Sequence, residues 1–181
     1  IHAARQFVKS ELAHSLTDAL KSRYLEYSVA EAYDKSPASM ARRSLRNACL
    51  SYLLLTPGGF DLAEKQLAES DNMTDTLAAL QGLVRAAAPG AANALQTFES
   101  RWREDALVMD KWFAIQACVP GEATVERVRQ LMEHPAFNIT NPNKVRSLLG
   151  AFSTLNPTGF HACSGAGYRL HADQVIRLNT L

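Results

Sequence analysis

Hydrophobic positions along the chain recur three and four residues apart, with polar residues between them, over nearly its whole length. From Arg5 to Leu20 the series Val8, Leu12, Leu16 and Leu20 predicts one helix. Ser22–Tyr33 predicts a second, with Tyr24, Leu25 and Val29 on its apolar side. Ser36-Pro37 opens a third, serine as N-cap and proline at the first helical position. Leu45, Cys49, Tyr52 and Leu53 run along that helix until Thr56-Pro57-Gly58-Gly59 ends it. Phe60–Glu69 is a short helix with Leu62 and Leu67 inward. Asp71 or Asn72 then caps a helix carrying Leu77, Leu80, Val84 and Ala87 as far as Pro89-Gly90, with Asp75 in its first turn. Ala91–Arg103 places Leu95, Phe98 and Trp102 on one face.

The stretch Trp102–Val119 organises the rest. Leu107, Val108, Trp112 and Ile115 keep helical spacing, Met109 and Phe113 widen the stripe, and both tryptophans of the chain lie here. Large aromatic faces bury much area, so this helix is predicted to be central to the core. Glu104 and Asp105 suit its N-terminal end, and Pro120-Gly121 stops it. Val125, Val128, Leu131 and Met132 mark the next helix, closed by Pro135. Asn141-Pro142 and Asn156-Pro157 repeat one device, Asn as N-cap and Pro at the first helical position. Lys144–Phe152 lies between them with Val145, Leu148 and Leu149 apolar, and Tyr168–Leu178 is a last helix.

No alternating run between hairpin turns is found, so the chain is predicted to be all-α. Short helices joined by Pro/Gly/Asn connectors suggest stacked antiparallel helical hairpins, a solenoid-like array of HEAT or ARM type. A compact irregular bundle is the competing architecture, since no sequence repeat is evident.

Composition narrows the function. The chain has 181 residues, 47% hydrophobic and 20% charged, as in ordinary globular proteins. A net charge of +1 supplies no general basic field for nucleic acid or an anionic membrane. No apolar run approaches the roughly 20 residues that span a bilayer. Cys49, Cys118 and Cys163 form no C-x-x-C pair, which argues against a disulfide framework or a structural zinc site and fits the reducing cytoplasm. The chain begins at Ile1, already in helical pattern, and reads as part of a longer polypeptide.

Candidate chemistry is sparse. The histidines His2, His14, His134, His161 and His171 form no H-E-x-x-H. His134 reads as a capping or surface group at a helix end. His161 and Cys163 superficially pair a base with a nucleophile, but spacing does not bring them within reach and no third group orients them. Gly165-Ala166-Gly167 reads as a turn rather than a dinucleotide loop. Arg42, Arg43 and Arg46 read as a solvated face or local ion pairs rather than a nucleic-acid patch. Lys144 and Arg146 follow a helix start, where cations oppose the dipole; they are either solvent-exposed or turned toward an anionic partner or cleft. No catalytic or metal-ligating residue is assigned.

Several strings occur together and in order: Arg43-Ser44-Leu45-Arg46-Asn47, Asn72-Met73-Thr74-Asp75, Phe98-x-x-x-Trp102, Val108-Met109-Asp110-Lys111-Trp112-Phe113, Asn141-Pro142-Asn143-Lys144-Val145-Arg146-Ser147-Leu148 and Asn156-Pro157-x-x-Phe160-His161. Jointly they resemble the C-terminal domain of the bacterial-type aminopeptidase N family, zinc metallopeptidases of the M1 class. The resemblance implies a single helical domain over 1–181, part of a larger C-terminal domain that extends further. It implies a non-catalytic role: covering the active site of a catalytic domain in the same chain and limiting access of peptide substrates. It also implies that zinc belongs to the parent enzyme and not to this segment, and that Arg146, in the N-P-N-x-x-R helix, looks toward the substrate channel. Residues 1–181 hold neither H-E-x-x-H nor G-x-M-E-N. The segment alone is therefore expected to be inactive, and its exposed apolar faces are expected to favour self-association. The alternative is a helical-repeat module that binds a protein partner.

Overall fold

A computed structural model describes residues 1–28 and 33–180. Every regular element among them is helical. They fall into two compact units, Ile1–Ala91 and Ala92–Leu181.

The first unit holds α1 (His2–Ser15), α2 (Thr17–Glu26), α3 (Pro37–Leu53), α4 (Gly59–Glu69) and α5 (Met73–Arg85). The single helix expected over Arg5–Leu20 is in fact two, bent at Leu16 (φ −112°, ψ 16°). The cause is local. Thr17 Oγ1 donates to the carbonyls of Ala13 and His14, at 2.7 and 3.0 Å, and competes with the regular ladder. The apolar stripe assigned to α1 also faces outward: Val8, Leu12 and Leu16 are exposed, and Ala13 is the buried residue of α1. In α2 Tyr24 is buried and Leu25 exposed. The helix ends at Glu26 rather than Tyr33, and the expected inward Val29 lies outside the described residues.

Ser36 caps α3 by accepting from Ser39 N–H at 3.2 Å, with Pro37 at the first helical position. Cys49, Leu50 and Leu53 are its buried face, while Leu45 is exposed. Gly58 takes a left-handed φ of 80° at the start of α4, and a Cβ on Gly59 would sit 2.0 Å from the Leu53 carbonyl oxygen. Both glycines are therefore demanded by this turn. Asn72 is the cap of α5. Ala79, Leu80, Leu83 and Val84 complete the first core, and Ala87, expected in the helix, lies beyond its end at φ 51°.

The second unit holds α6 (Ala91–Trp102) from its second residue on, α7 (Ala106–Ala117), α8 (Thr124–Met132), α9 (Pro142–Val145), a π-helical turn (Arg146–Gly150), α10 (Ala151–Leu155), α11 (Pro157–Phe160) and α12 (Ala166–Leu178). Asp105 caps α7, accepting from Leu107 and Val108 N–H at 3.0 and 3.1 Å. As expected, α7 is the centre of this core. Val108, Met109, Trp112, Phe113, Ile115 and Ala117 are all buried, so it is enclosed on more than one face, whereas Leu107 points outward. Trp112 Nε1 donates to the Leu95 carbonyl at 3.0 Å and ties α7 to α6. Val125, Val128 and Leu131 bury the inner face of α8, which ends at Met132, before the predicted stop at Pro135. On α12 Leu170 is buried, while Tyr168, Val175, Ile176 and Leu178 are exposed.

Candidate functional site

The segment Asn141–Gly150 carries Arg146, the one candidate site residue that the family resemblance named. Asn141 starts it by accepting from Asn143 N–H at 2.9 Å, with Pro142 at the first position of α9. After one α-helical turn the backbone widens into the π-turn, which holds one residue more than an α-turn and re-aims the side chains that follow. Leu148 and Leu149 are buried beneath it. Arg146, its first residue, is exposed.

The two cations of this segment part company. Lys144 is 6% exposed, so the solvent-exposed reading fails for it. Its ammonium donates to the Ala106 carbonyl at 2.7 Å and lies 2.8 Å from Asp110 Oδ1, both on α7. The carboxylate contact is an ion pair without a well-directed hydrogen bond. Phe113 faces the same ammonium at 5.8 Å from the ring centre. No signal in the sequence joins residues 34 apart; only the fold brings them together. Alone in this low-dielectric place either charge would be costly, and together they are tolerated.

His134 departs from a plain surface group. It follows α8, and its ring packs 5.1 Å from Trp112 and 5.6 Å from Phe113. Ala136 N–H donates to its Nδ1 at 3.1 Å, so in the neutral ring the proton sits on Nε2, 3.3 Å from Glu99 Oε1. His161 Nδ1 bonds the Tyr168 hydroxyl at 2.6 Å, and Cys163 is exposed in the loop that follows. His161 is thus engaged with a phenol and not with a thiol. Gly165 takes φ 70° at the start of α12, as a turn requires.

The first unit contains a cavity of about 480 Å³ between α2, α3, α4 and the start of α5. Arg42, Arg43 and Arg46 border it together with Lys65, Glu69 and Asp71, so both signs of charge line it. Arg46 donates to Gln66 Oε1 at 3.0 Å and lies 3.6 Å from Asp75 Oδ2. Asn47 donates to Asp75 Oδ1 at 2.8 Å, and Gln66 donates to Asn47 Oδ1 at 2.8 Å and to the Asp75 carbonyl at 3.0 Å. Asn72 accepts from Asp75 N–H and donates to its carboxylate. Arg43 donates to the Asp34 carbonyl and Ser39 Oγ, and covers the Tyr33 ring. Arg43 and Arg46 therefore satisfy the local-pairing reading. Burial raises the pKa of Tyr24, which donates to the Leu62 carbonyl nearby. The sequence reading missed this polar network, although Asn47, Gln66 and Asp75 interrupt apolar helical faces and could have marked it.

Among the described residues no group of three His, Cys, Asp or Glu side chains could hold a metal ion. None of their helices is long and apolar enough to cross a membrane.

Comparison with known proteins gives a consistent picture. The family described as "Domain of unknown function (DUF3458_C) ARM repeats" matches residues 1–181. Aminopeptidase N of Haemophilus influenzae is 44% identical over 179 residues, covering 99% of this chain and 20% of that protein. Aminopeptidase N of Escherichia coli is 40% identical over 182 residues, covering 99% and 21%. The chain thus spans about a fifth of the length of these relatives. A crystal structure of Legionella pneumophila aminopeptidase A in complex with aspartic acid matches with a TM-score of 0.89 and 32% identity, over 99% of this chain and 22% of that one. ARM repeats are the all-helical stack that the hydrophobic periodicity implied.

Proposed function

Since the chain belongs to the DUF3458_C family of ARM-repeat domains, we propose that it is the non-catalytic helical part of a zinc aminopeptidase, covering the active site and shaping the path of peptide substrates. The observation that carries this reading is the continuous match of 99% of the chain to a fifth of aminopeptidase N, at 44% identity. In this reading residues 1–181 belong to one helical domain. Their partner is the catalytic domain of the same parent chain, and Arg146 faces the substrate channel. A cytoplasmic setting fits three thiols outside any disulfide.

The side chains present do not fit a zinc site of their own, as no three ligating groups converge among the described residues. No step of bond cleavage is assigned to them. Zinc, and the motifs that bind it and the substrate amine, belong in this reading to the rest of the parent. The contribution of the helical part is steric and electrostatic, a wall that admits short peptides and carries a cation.

The test is made on the parent enzyme. Removing the region equivalent to 1–181, with zinc content and folding of the remainder verified, is expected to change activity on aminoacyl substrates and to relax selection for short peptides over long ones. Unchanged activity and unchanged length selection would overturn the reading. A stand-alone interaction module is the second reading, favoured by the exposed Phe7, Val8, Leu12 and Leu16 of α1. A specific protein that binds the segment without competition from the catalytic part would support it.

A further inference from the structure

Arg146 is useful in a channel only if its backbone is held still. Downstream, its π-turn is continuous with α10 and is seated by buried Leu148 and Leu149; upstream, a single α-helical turn, Pro142–Val145, precedes it. On that upstream side the restraint comes from Lys144, two residues earlier. Its buried ammonium is fixed on α7 at two points, the Ala106 carbonyl at 2.7 Å and Asp110 Oδ1 at 2.8 Å. Its own carbonyl accepts from Ser147 Oγ at 2.9 Å, across the junction into the π-turn. Asp105, one residue before Ala106, caps α7, so the anchor grips a helix end that is itself locally fixed.

We propose that Lys144, held by Asp110, is a positioning residue for Arg146: it fixes the π-turn on α7 and so sets where the Arg146 guanidinium stands. The proposal rests on the reading of Arg146 as a channel residue, but its structural half does not. Lys144 touches no substrate. Being neutralised and buried, it leaves Arg146 as the cation this segment presents outward.

The experiment uses the full-length parent aminopeptidase carrying Arg146→Ala, Lys144→Arg, Lys144→Met, Asp110→Asn, or Lys144→Met with Arg146→Ala. Steady-state kinetics on a tripeptide are measured with hydrogen exchange over 142–150. Asp110→Asn is included because it keeps Lys144 and its Ala106 contact, and so reports even where Lys144→Met does not fold. Asp110→Asn and Lys144→Met are expected to raise exchange over 146–150 and to raise KM by about 3–10-fold with kcat changed less than about twofold. Lys144→Arg is expected to restore most of the loss. The double variant is expected to be no worse than Arg146→Ala alone, because both changes remove one function. If Arg146→Ala raises KM while Asp110→Asn and Lys144→Met leave KM and exchange unchanged, the positioning role is overturned and the channel reading stands. If Asp110→Asn loosens 146–150 but Arg146→Ala leaves KM unchanged, the channel reading is overturned while the anchor stands. Additive losses in the double variant would show that Lys144 acts independently of Arg146 and would overturn the proposal.

Discussion

Asn141-Pro142 and Asn156-Pro157 are the same two letters at two helix starts, and the fold gives them different work. Asn141 is exposed, and among the described residues its side chain accepts from Asn143 N–H alone. Asn156 is 2% exposed and serves two helices at once. Its Oδ1 accepts from Gly159 N–H at 2.9 Å, the local cap. Its Nδ2 donates to the carbonyls of Ala117, the last residue of α7, and Val119, just beyond it, at 3.0 and 2.5 Å; the Val119 carbonyl also accepts from Thr124 Oγ1 at 2.7 Å. One residue thus starts α11 and finishes α7. Thr158 extends the clamp, its Oγ1 accepting from Gly121 N–H at 3.0 Å. The lesson is that a capping signature fixes the local bond, while the other half of the amide is free for whatever the tertiary fold brings.

The contrast can be broken by substitution, with urea unfolding followed by tryptophan fluorescence. Both tryptophans, Trp102 and Trp112, lie in the second unit, so the signal reports on the unit that holds both asparagines. Asn156→Ala should cost roughly 2–4 kcal/mol, the sum of a lost cap and the Ala117 carbonyl left unpaired in a buried place, while the Val119 carbonyl keeps Thr124 Oγ1 at 2.7 Å. A loss below about 1 kcal/mol would show that the two sites are equivalent after all. Gly159→Ala should cost about 2–3 kcal/mol, because its Cβ would sit 2.8 Å from both Asn156 Nδ2 and the Gly121 carbonyl oxygen. Thr158→Val, which keeps the shape and removes the acceptor, should cost about 1–2 kcal/mol. Asn141→Ala should cost only about 0.5–1 kcal/mol, within the ordinary range of an exposed cap. Asparagine to aspartate sharpens the point. At 141 it should be nearly silent, since Asp caps as well as Asn. At 156 it puts a carboxylate oxygen against two carbonyl oxygens and should cost at least as much as alanine.

These sites also show what was legible in the chain and what was not. Caps are written within three or four residues, so Ser36, Asn141 and Asn156 could be read directly, Asn72 as one of two neighbours, and so could the closing Pro and Gly connectors. A wide apolar stripe with large aromatic faces placed α7 at the centre, and the fold encloses it on more than one face. Helical periodicity failed on α1, where a regular stripe of Val8, Leu12 and Leu16 lies exposed: period tells which side is apolar, not what covers it. The bend at Leu16 had a signal in Thr17, a side chain able to take the place of a backbone donor. Lys144 had none. Its partner lies 34 residues away, and a lysine near a helix start looks the same whether it meets water or a buried carboxylate. The candidate site was legible only as far as Arg146 resembles a family position, and nothing in the spacing predicted the π-turn that displays it.

That turn has an evolutionary corollary. The rod from Pro142 to Leu155 stores one spare residue in its middle. Losing a single amino acid between Arg146 and Gly150 would let the backbone relax into plain α-helix while Phe152, buried at the far end, keeps its bearing. A deletion elsewhere in the rod would swing Phe152 by about 100° out of the core. Length variation among kindred sequences should therefore gather at this turn, the one place where the rod can shorten without losing its seat.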